Sequence, residues 1–296
     1  MNIYFLKPFD AVNDTLTSYL VFKKHKLEKD YLELGSGDGM YSFIMSGGKF
    51  PLNFDRYIDV SLKKKDIFDT HKKEIKVYKN KNLIRPYLSI DAKKNHVKKI
   101  KEIGFSKYSQ ASKLENIKIK NKNKFSLIFF YTAHGLNDFK KSIKQAKKLL
   151  KKNGKILILV FDDFVKKNFV CYKMSKKNFF PAFFRKIDNG RFKEIGNYSK
   201  TTENWMNFFE KNGLKVNKIS SGLSGTAWKV YDVQTRPILF FLIRFFNTFP
   251  SFLRVLLKLI WMIFFYPVLI LFFLFYSNIY FSNNKNCYHV FELRKR

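Results

Sequence analysis

The segment Tyr31-Leu32-Glu33-Leu34-Gly35-Ser36-Gly37-Asp38-Gly39 constrains the fold more than any other part of this 296-residue chain. Its first four residues, apolar but for one acid, read as a short strand. Glycine at every second position then makes a sharp loop, and Met40-Tyr41-Ser42-Phe43 reads as the start of a helix. Glycines in such a loop let a ligand lie directly on main-chain N–H groups. A dinucleotide fingerprint requires G-x-G-x-x-G. Here the spacing is G-x-G-x-G, with Glu33 two positions ahead of the first glycine.

A strand–loop–helix opening predicts alternating strands and helices and a doubly wound parallel sheet. Two segments compete for the second strand, each ending in an acid. Asp59, in Tyr57-Ile58-Asp59-Val60-Ser61, lies 20 positions past Gly39; Asp91 ends Tyr87-Leu88-Ser89-Ile90-Asp91. Asp91 is preferred on the pattern of the residues after it. Residues 93–103 form a basic helix with Val97, Ile100 and Ile103 on one face and Gly104 as its stop. Tyr108 to Ser112 then reads as a third strand. This choice makes 44–83 an insertion, and Asp59 stays as the alternative.

The fourth strand is Phe125-Ser126-Leu127-Ile128-Phe129-Phe130, a continuous apolar run suited to the centre of a parallel sheet. A helix with Phe139, Ile143, Ala146, Leu149 and Leu150 on one stripe comes next, with Asn153-Gly154 as its predicted stop. Ile156 to Phe161 is the fifth strand. A helix over 202–212, capped by Thr202, precedes a strand from Leu214 to Ile219. The segment Tyr288-His289-Val290-Phe291-Glu292-Leu293 is the candidate for a last, antiparallel strand.

The glycine loop resembles motif I of the class I S-adenosylmethionine (SAM)-dependent methyltransferases. The order F-S-L-I-F-F … L-L-K-K-N-G-K-I-L-I is similar to that family's motifs IV to VI. The resemblance covers about residues 30–162, less the insertion, and implies a Rossmann-like, doubly wound, mostly parallel seven-stranded α/β sheet. It implies SAM as cofactor, cradled by Gly35, Ser36, Gly37, Asp38 and Gly39, with Glu33 ordering the loop and the methionine end. Asp91, beside Ala92, would accept the ribose hydroxyls. Ser112 stands where the family usually has an acid for the adenine amine. Thr132 and Ala133 would lie near the cofactor. His134 is the candidate general base, its ordinary pKa being near neutrality; a loop histidine that only packs is the competing reading. Asp162 and Asp163 offer the same two readings, base or helix cap.

Fifty-seven Lys and Arg against 23 Asp and Glu give a formal charge of +34. Such a chain is drawn to polyanions, either nucleic acid or an anionic membrane. Lysines are spread along the chain beside abundant Asn, Ile and Phe, so the charge only supports other arguments. Cys171 and Cys287 make no disulfide framework and no C-x-x-C pair, and the five histidines are scattered, so no metal is expected. The first seven residues are too short an apolar stretch for a signal peptide, and a cytoplasmic catalytic domain is expected.

Residues 236–282 differ from the rest. Leu259 to Phe281 is a 23-residue stretch without a charge. At about 1.5 Å per residue it is long enough to cross a hydrocarbon core of about 30 Å with tilt. The preceding stretch, 238–257, carries Arg244, Asn247, Pro250 and Arg254 and suits an interfacial helix. Lys258 and Lys285 flank the long run, and Tyr276 and Tyr280 sit near one end as interface residues do. If 288–293 returns to the sheet, a single pass is excluded. A hairpin kinked at Pro267, two passes, or an in-plane anchor remain, with an anionic cytoplasmic leaflet as the expected surface.

These expectations divide the chain into a SAM-binding domain over 1–235, apolar membrane-associated helices over 236–282, and a final strand within 283–296. They predict a membrane-associated methyltransferase acting on a lipid-linked, quinone or glycan-precursor acceptor. An RNA methyltransferase is one alternative, resting on the charge. Against nucleic acid as a partner stands the lack of an Asn/Asp-Pro-Pro-Tyr/Phe motif after the fourth strand. A non-enzymatic membrane adaptor on the same fold is the other alternative, with Ser112 its only support.

Overall fold

A computed structural model describes residues 2–54, 56–57, 74–79, 83–117, 119, 124–130, 138–177, 180–282 and 285–296. After a first helix, α1 (Pro8–Ser18), come β1 (Tyr31–Leu34), α2 (Met40–Met45), β2 (Pro86–Asp91), α3 (Lys94–Ile103), β3 (Tyr108–Ala111), β4 (Phe125–Phe130) and α4 (Phe139–Leu149). The second half holds β5 (Leu150–Phe161), α5 (Val170–Met174), α6 (Pro181–Tyr198), α7 (Thr202–Lys211), β6 (Leu214–Ser224), α8 (Gly225–Val233), α9 (Leu239–Phe246), α10 (Ser251–Tyr280) and β7 (Asn286–Lys295). The strands form one seven-stranded sheet in the order β3-β2-β1-β4-β5-β7-β6. Strands β1 to β5 are parallel, and β7 runs antiparallel between β5 and β6. This is the expected Rossmann-like architecture, with a helical apolar segment before the last strand.

The two-residue period of the strands sorts the core onto two faces. Ile128, Phe130, Ile156 and Ile158 face α4 and α7, packing with Ile143, Trp205 and Phe209. Leu127, Phe129 and Leu157 face the other way, into a cluster with Leu16 of α1, Trp228 of α8 and Leu269, Tyr276 and Tyr280 of α10.

Three local expectations are corrected. Asn153-Gly154 does not stop α4; that helix ends at Leu149, and Gly154 lies inside β5. The register slips there, from Phe125↔Leu150 to Leu127↔Lys155. A Cβ on Gly154 would stand 2.9 Å from the Ser126 carbonyl oxygen, so the glycine serves close strand approach. Thr201, not Thr202, caps α7 by accepting from the Asn204 N–H, while the Thr202 hydroxyl turns to Asp162 and His289. Lys258, which directly precedes the charge-free run, is not at a membrane interface but buried inside α10, donating to the carbonyls of Leu52 (2.8 Å) and Phe54 (3.0 Å).

Helix α10 runs 30 residues, about 45 Å at the α-helical rise. Among the described residues it is the one helix long and apolar enough to cross a membrane by length and composition. One stripe of it is tied to the sheet domain along nearly its whole length. Trp261 meets Phe5, Phe272 meets Phe9, Tyr276 donates to the Ala227 carbonyl and Tyr280 bonds Thr17. The opposite stripe, including Phe252, Ile263, Phe264, Leu271 and Phe275, is about 70 % exposed at each position.

Candidate functional site

The carboxyl ends of β1, β2 and β3 meet at the glycine loop, where open α/β sheets bind ligands. The N–H groups of Gly35 and Ser36 donate to the Ile90 carbonyl (2.9 and 3.2 Å), which fastens the loop to the end of β2. Gly37 has φ +58°, and a Cβ there would meet no atom within 4 Å. The loop therefore faces open space at its middle residue. Gly39 has φ +74° and is crowded from behind, its Cβ position lying 2.8 Å from Ile100 Cγ1 of α3. The Ser36 hydroxyl is buried and has no hydrogen-bond partner among the described residues.

Asp91 ends β2 beside this loop. Its Oδ2 accepts from the Gly37 N–H at 2.9 Å. Its Oδ1 accepts from the Lys93 N–H at 2.9 Å and lies 3.2 Å from His96 Nδ1. A carboxylate offers about four acceptor positions. Three contacts thus leave capacity on Oδ2, next to the open side of the loop. Ala92 is the next residue, and Ser112 is brought to the same place by its N–H, which donates to the Asp91 carbonyl at 2.9 Å. The Ser112 hydroxyl donates to the Lys113 carbonyl.

Glu33 sits behind the loop and is 1 % exposed. The hydroxyls of Ser42 and Ser89 donate to its two oxygens, so it ties β1 to α2 and β2. Burial raises its carboxyl to about 7 against the lowering effect of the two hydroxyls, with Asp91 adding to the rise. Asp38 is also buried, but behaves oppositely. Burial opposes its ionisation, yet Arg56, Lys99, His96 and the Met40 N–H together hold it below the usual carboxylate range. Arg56 Nη2 lies 3.3 Å from Asp38 Oδ1.

The described residues thus bring together Glu33, the Gly35–Gly39 loop, Asp91, Ala92 and Ser112. Thr132, Ala133 and His134 lie outside the described residues, as does Asp59, the alternative to Asp91. Asp162 accepts from the Phe164 N–H, the capping reading, and is 3.1 Å from His289 Nε2. The sequence reading missed Arg56 and His96. Neither belongs to a motif; each is placed by tertiary contact with a carboxylate, Arg56 with Asp38 and His96 with Asp91.

No protein-family model matches the chain, and no curated protein matches it. Solved structures resemble it in fold. One is a SAM-dependent methyltransferase from Thermotoga maritima, 17% identical over 73% of this chain and 78% of that one, with a TM-score of 0.45. Another is a SAM-dependent methyltransferase from Geobacter sulfurreducens in complex with S-adenosyl-L-homocysteine, 13% identical over 95% and 90%, TM-score 0.46. A third is a cyclase, 11% identical over 94% and 80%, TM-score 0.49. At these identities the likeness is one of fold alone.

Proposed function

We propose that the chain is a SAM-dependent methyltransferase working at a membrane face on a lipid-linked, quinone or glycan-precursor acceptor. The observation that carries this reading is the glycine loop with its open face at Gly37, set against a carboxylate at the end of the neighbouring strand. The fit is chemical as well as spatial. The buried, unpartnered Ser36 hydroxyl can bond a polar ligand atom, and Asp91 suits a ribose diol. One hydroxyl would take the remaining position on Oδ2, and the second would replace the His96 or Gly37 contact.

SAM supplies an activated methyl group on a sulfonium with a good leaving group built in. The protein's share is positioning and exclusion of water, and orientation alone contributes about 7–11 kcal/mol in such reactions. Glu33 serves that end by fixing the loop from behind. Asp38 does so through its bond from the Met40 N–H, which sets the start of α2. Ser112 stands where it would receive the adenine amine more weakly than an acid does. His134 is kept as the candidate base, and Thr132 and Ala133 as candidate cofactor contacts.

Membrane attachment is assigned to 236–282, between a SAM-binding domain over 1–235 and the returning strand within 283–296. The support is the pairing of a core-tied inner stripe with an apolar outer stripe on α10. A helix held this way suits an in-plane anchor, half immersed, rather than a span. The charge of +34 suits an anionic leaflet, with the catalytic domain on the cytoplasmic side.

Titration calorimetry with S-adenosylhomocysteine tests the cofactor reading. The parent chain is expected to bind, and Gly37→Arg, which fills the open side of the loop, to lose binding while keeping its circular-dichroism spectrum. Normal binding by Gly37→Arg would remove the glycine loop from the site. Mass spectrometry of lipid extracts with and without the protein then searches for a species heavier by one methylene.

A further inference from the structure

Helix α1 buries polar residues as well as the apolar Ala11, Val12 and Leu16. Asp10, Asn13 and Thr17, spaced three and four apart on one face, are 5%, 7% and 5% exposed. Thr17 is satisfied by the Asn13 carbonyl and the Tyr280 and Tyr288 hydroxyls. The other two are not. Asp10 Oδ2 pairs with Lys7, but Asp10 Oδ1 and Asn13 Oδ1 have no hydrogen-bond partner among the described residues. Buried polar atoms are nearly always paired, so two unmatched acceptors along one helix face ask for a donor from elsewhere.

Their surroundings say where that donor comes from. The Lys7 ammonium lies over the rings of Tyr57 and Tyr231, 5.4 and 5.8 Å from their centroids. Tyr4 donates its hydroxyl to Asp14 at 2.6 Å. Arg56 joins this cluster to the glycine loop through Asp38, and its guanidinium feels the charge of Asp14. On the far side α10 covers α1 through the Phe9–Phe272 contact, with Phe5–Trp261 beside it. The polar cluster therefore lies between the glycine loop and the helix with the exposed apolar stripe.

We propose that Asp10 and Asn13 seat the head group of the methyl acceptor, and that this head is an uncharged, hydroxylated one such as a polyol or sugar. The proposal rests on the methyltransferase reading above and specifies its acceptor. Both unmatched atoms accept hydrogen bonds, which hydroxyls supply. A cationic head would meet Lys7 and Arg56, already inside the cluster. A phosphate would meet Asp10, Asp14 and Asp38. Burial first, and the Asp10 charge second, raise the Asp14 carboxyl to about 7, against the lowering effect of the Tyr4 hydrogen bond.

Octyl glucoside, octyl phosphocholine and octyl phosphate share one tail and differ in head. Each is titrated into the full chain below its micelle concentration and followed by calorimetry, with S-adenosylhomocysteine titrated separately. The glucoside is expected to bind at least tenfold more tightly than the other two. Asp10→Leu and Asn13→Leu should each abolish that preference, and Asp10→Asn, which keeps an acceptor oxygen, should retain most of it. Equal affinity for the three heads, or a preference for phosphate or phosphocholine, overturns the proposal without needing any variant. So does a glucoside preference that survives both leucine substitutions. A parent chain that does not bind S-adenosylhomocysteine fails the methyltransferase reading instead, while the ranking of heads still decides this one.

Discussion

Replacing Glu33 by glutamine isolates the energetic consequence of burying a carboxyl behind the loop. Its folded-state pKa of about 7 stands above the ordinary value of 4.5, so the folded chain holds this proton more tightly than the unfolded chain. Between those values the native state binds more protons, and stability falls as pH rises, with the full cost present above pH 7. A shift of about two and a half units at 1.36 kcal/mol each makes that cost about 3 kcal/mol. Glutamine cannot ionise and fits between Ser42 and Ser89, because a serine hydroxyl both donates and accepts. Glu33→Gln should therefore match the parent below pH 4.5 and exceed its stability by about 3 kcal/mol at pH 8, a rise in Tm of about 5–10 °C. Thermal unfolding of both chains by circular dichroism at pH 4.5 and pH 8 provides the check. A Tm difference that is the same at both values, or a less stable variant at pH 8, would refute the buried-carboxyl argument.

Two other substitutions probe the geometry elsewhere. Gly39→Ala places a Cβ 2.8 Å from Ile100 Cγ1 on a backbone at φ +74°. The left-handed penalty and overpacking together should cost about 2–4 kcal/mol in chemical denaturation, and an unchanged midpoint contradicts the close packing of the loop on α3. Ile263→Asp with Leu271→Asp charges the outer stripe of α10, where the two side chains are 68% and 69% exposed. That pair should abolish co-flotation with phosphatidylglycerol vesicles while leaving S-adenosylhomocysteine affinity unchanged; continued flotation moves the membrane contact elsewhere.

The sheet was legible because its strands carry strong patterns. Phe125–Phe130 is apolar almost throughout, as a strand covered on both faces must be, and β7 is the one strand after the apolar helix among the described residues. The loop and the Asp91 strand end were legible from glycine spacing and from the helix that comes after. Other features had no local signal. Helix α1 escaped because Asp10, Asn13 and Thr17 are buried alongside Ala11, Val12 and Leu16 and blur the amphipathic period. Arg56 and Lys258 escaped because their partners, Asp38 and the Leu52 and Phe54 carbonyls, are defined only by tertiary packing. Asn153-Gly154 misled because a dipeptide that often ends helices here serves close contact between two strands.

The site hypothesis meets its most direct test in a crystal structure of the chain grown with S-adenosylhomocysteine. The amino-acid end of the ligand is expected over Gly35–Gly39, with a ribose hydroxyl within hydrogen-bonding distance of Asp91 Oδ2. A ligand bound away from that loop, or one whose ribose leaves Asp91 untouched, contradicts it.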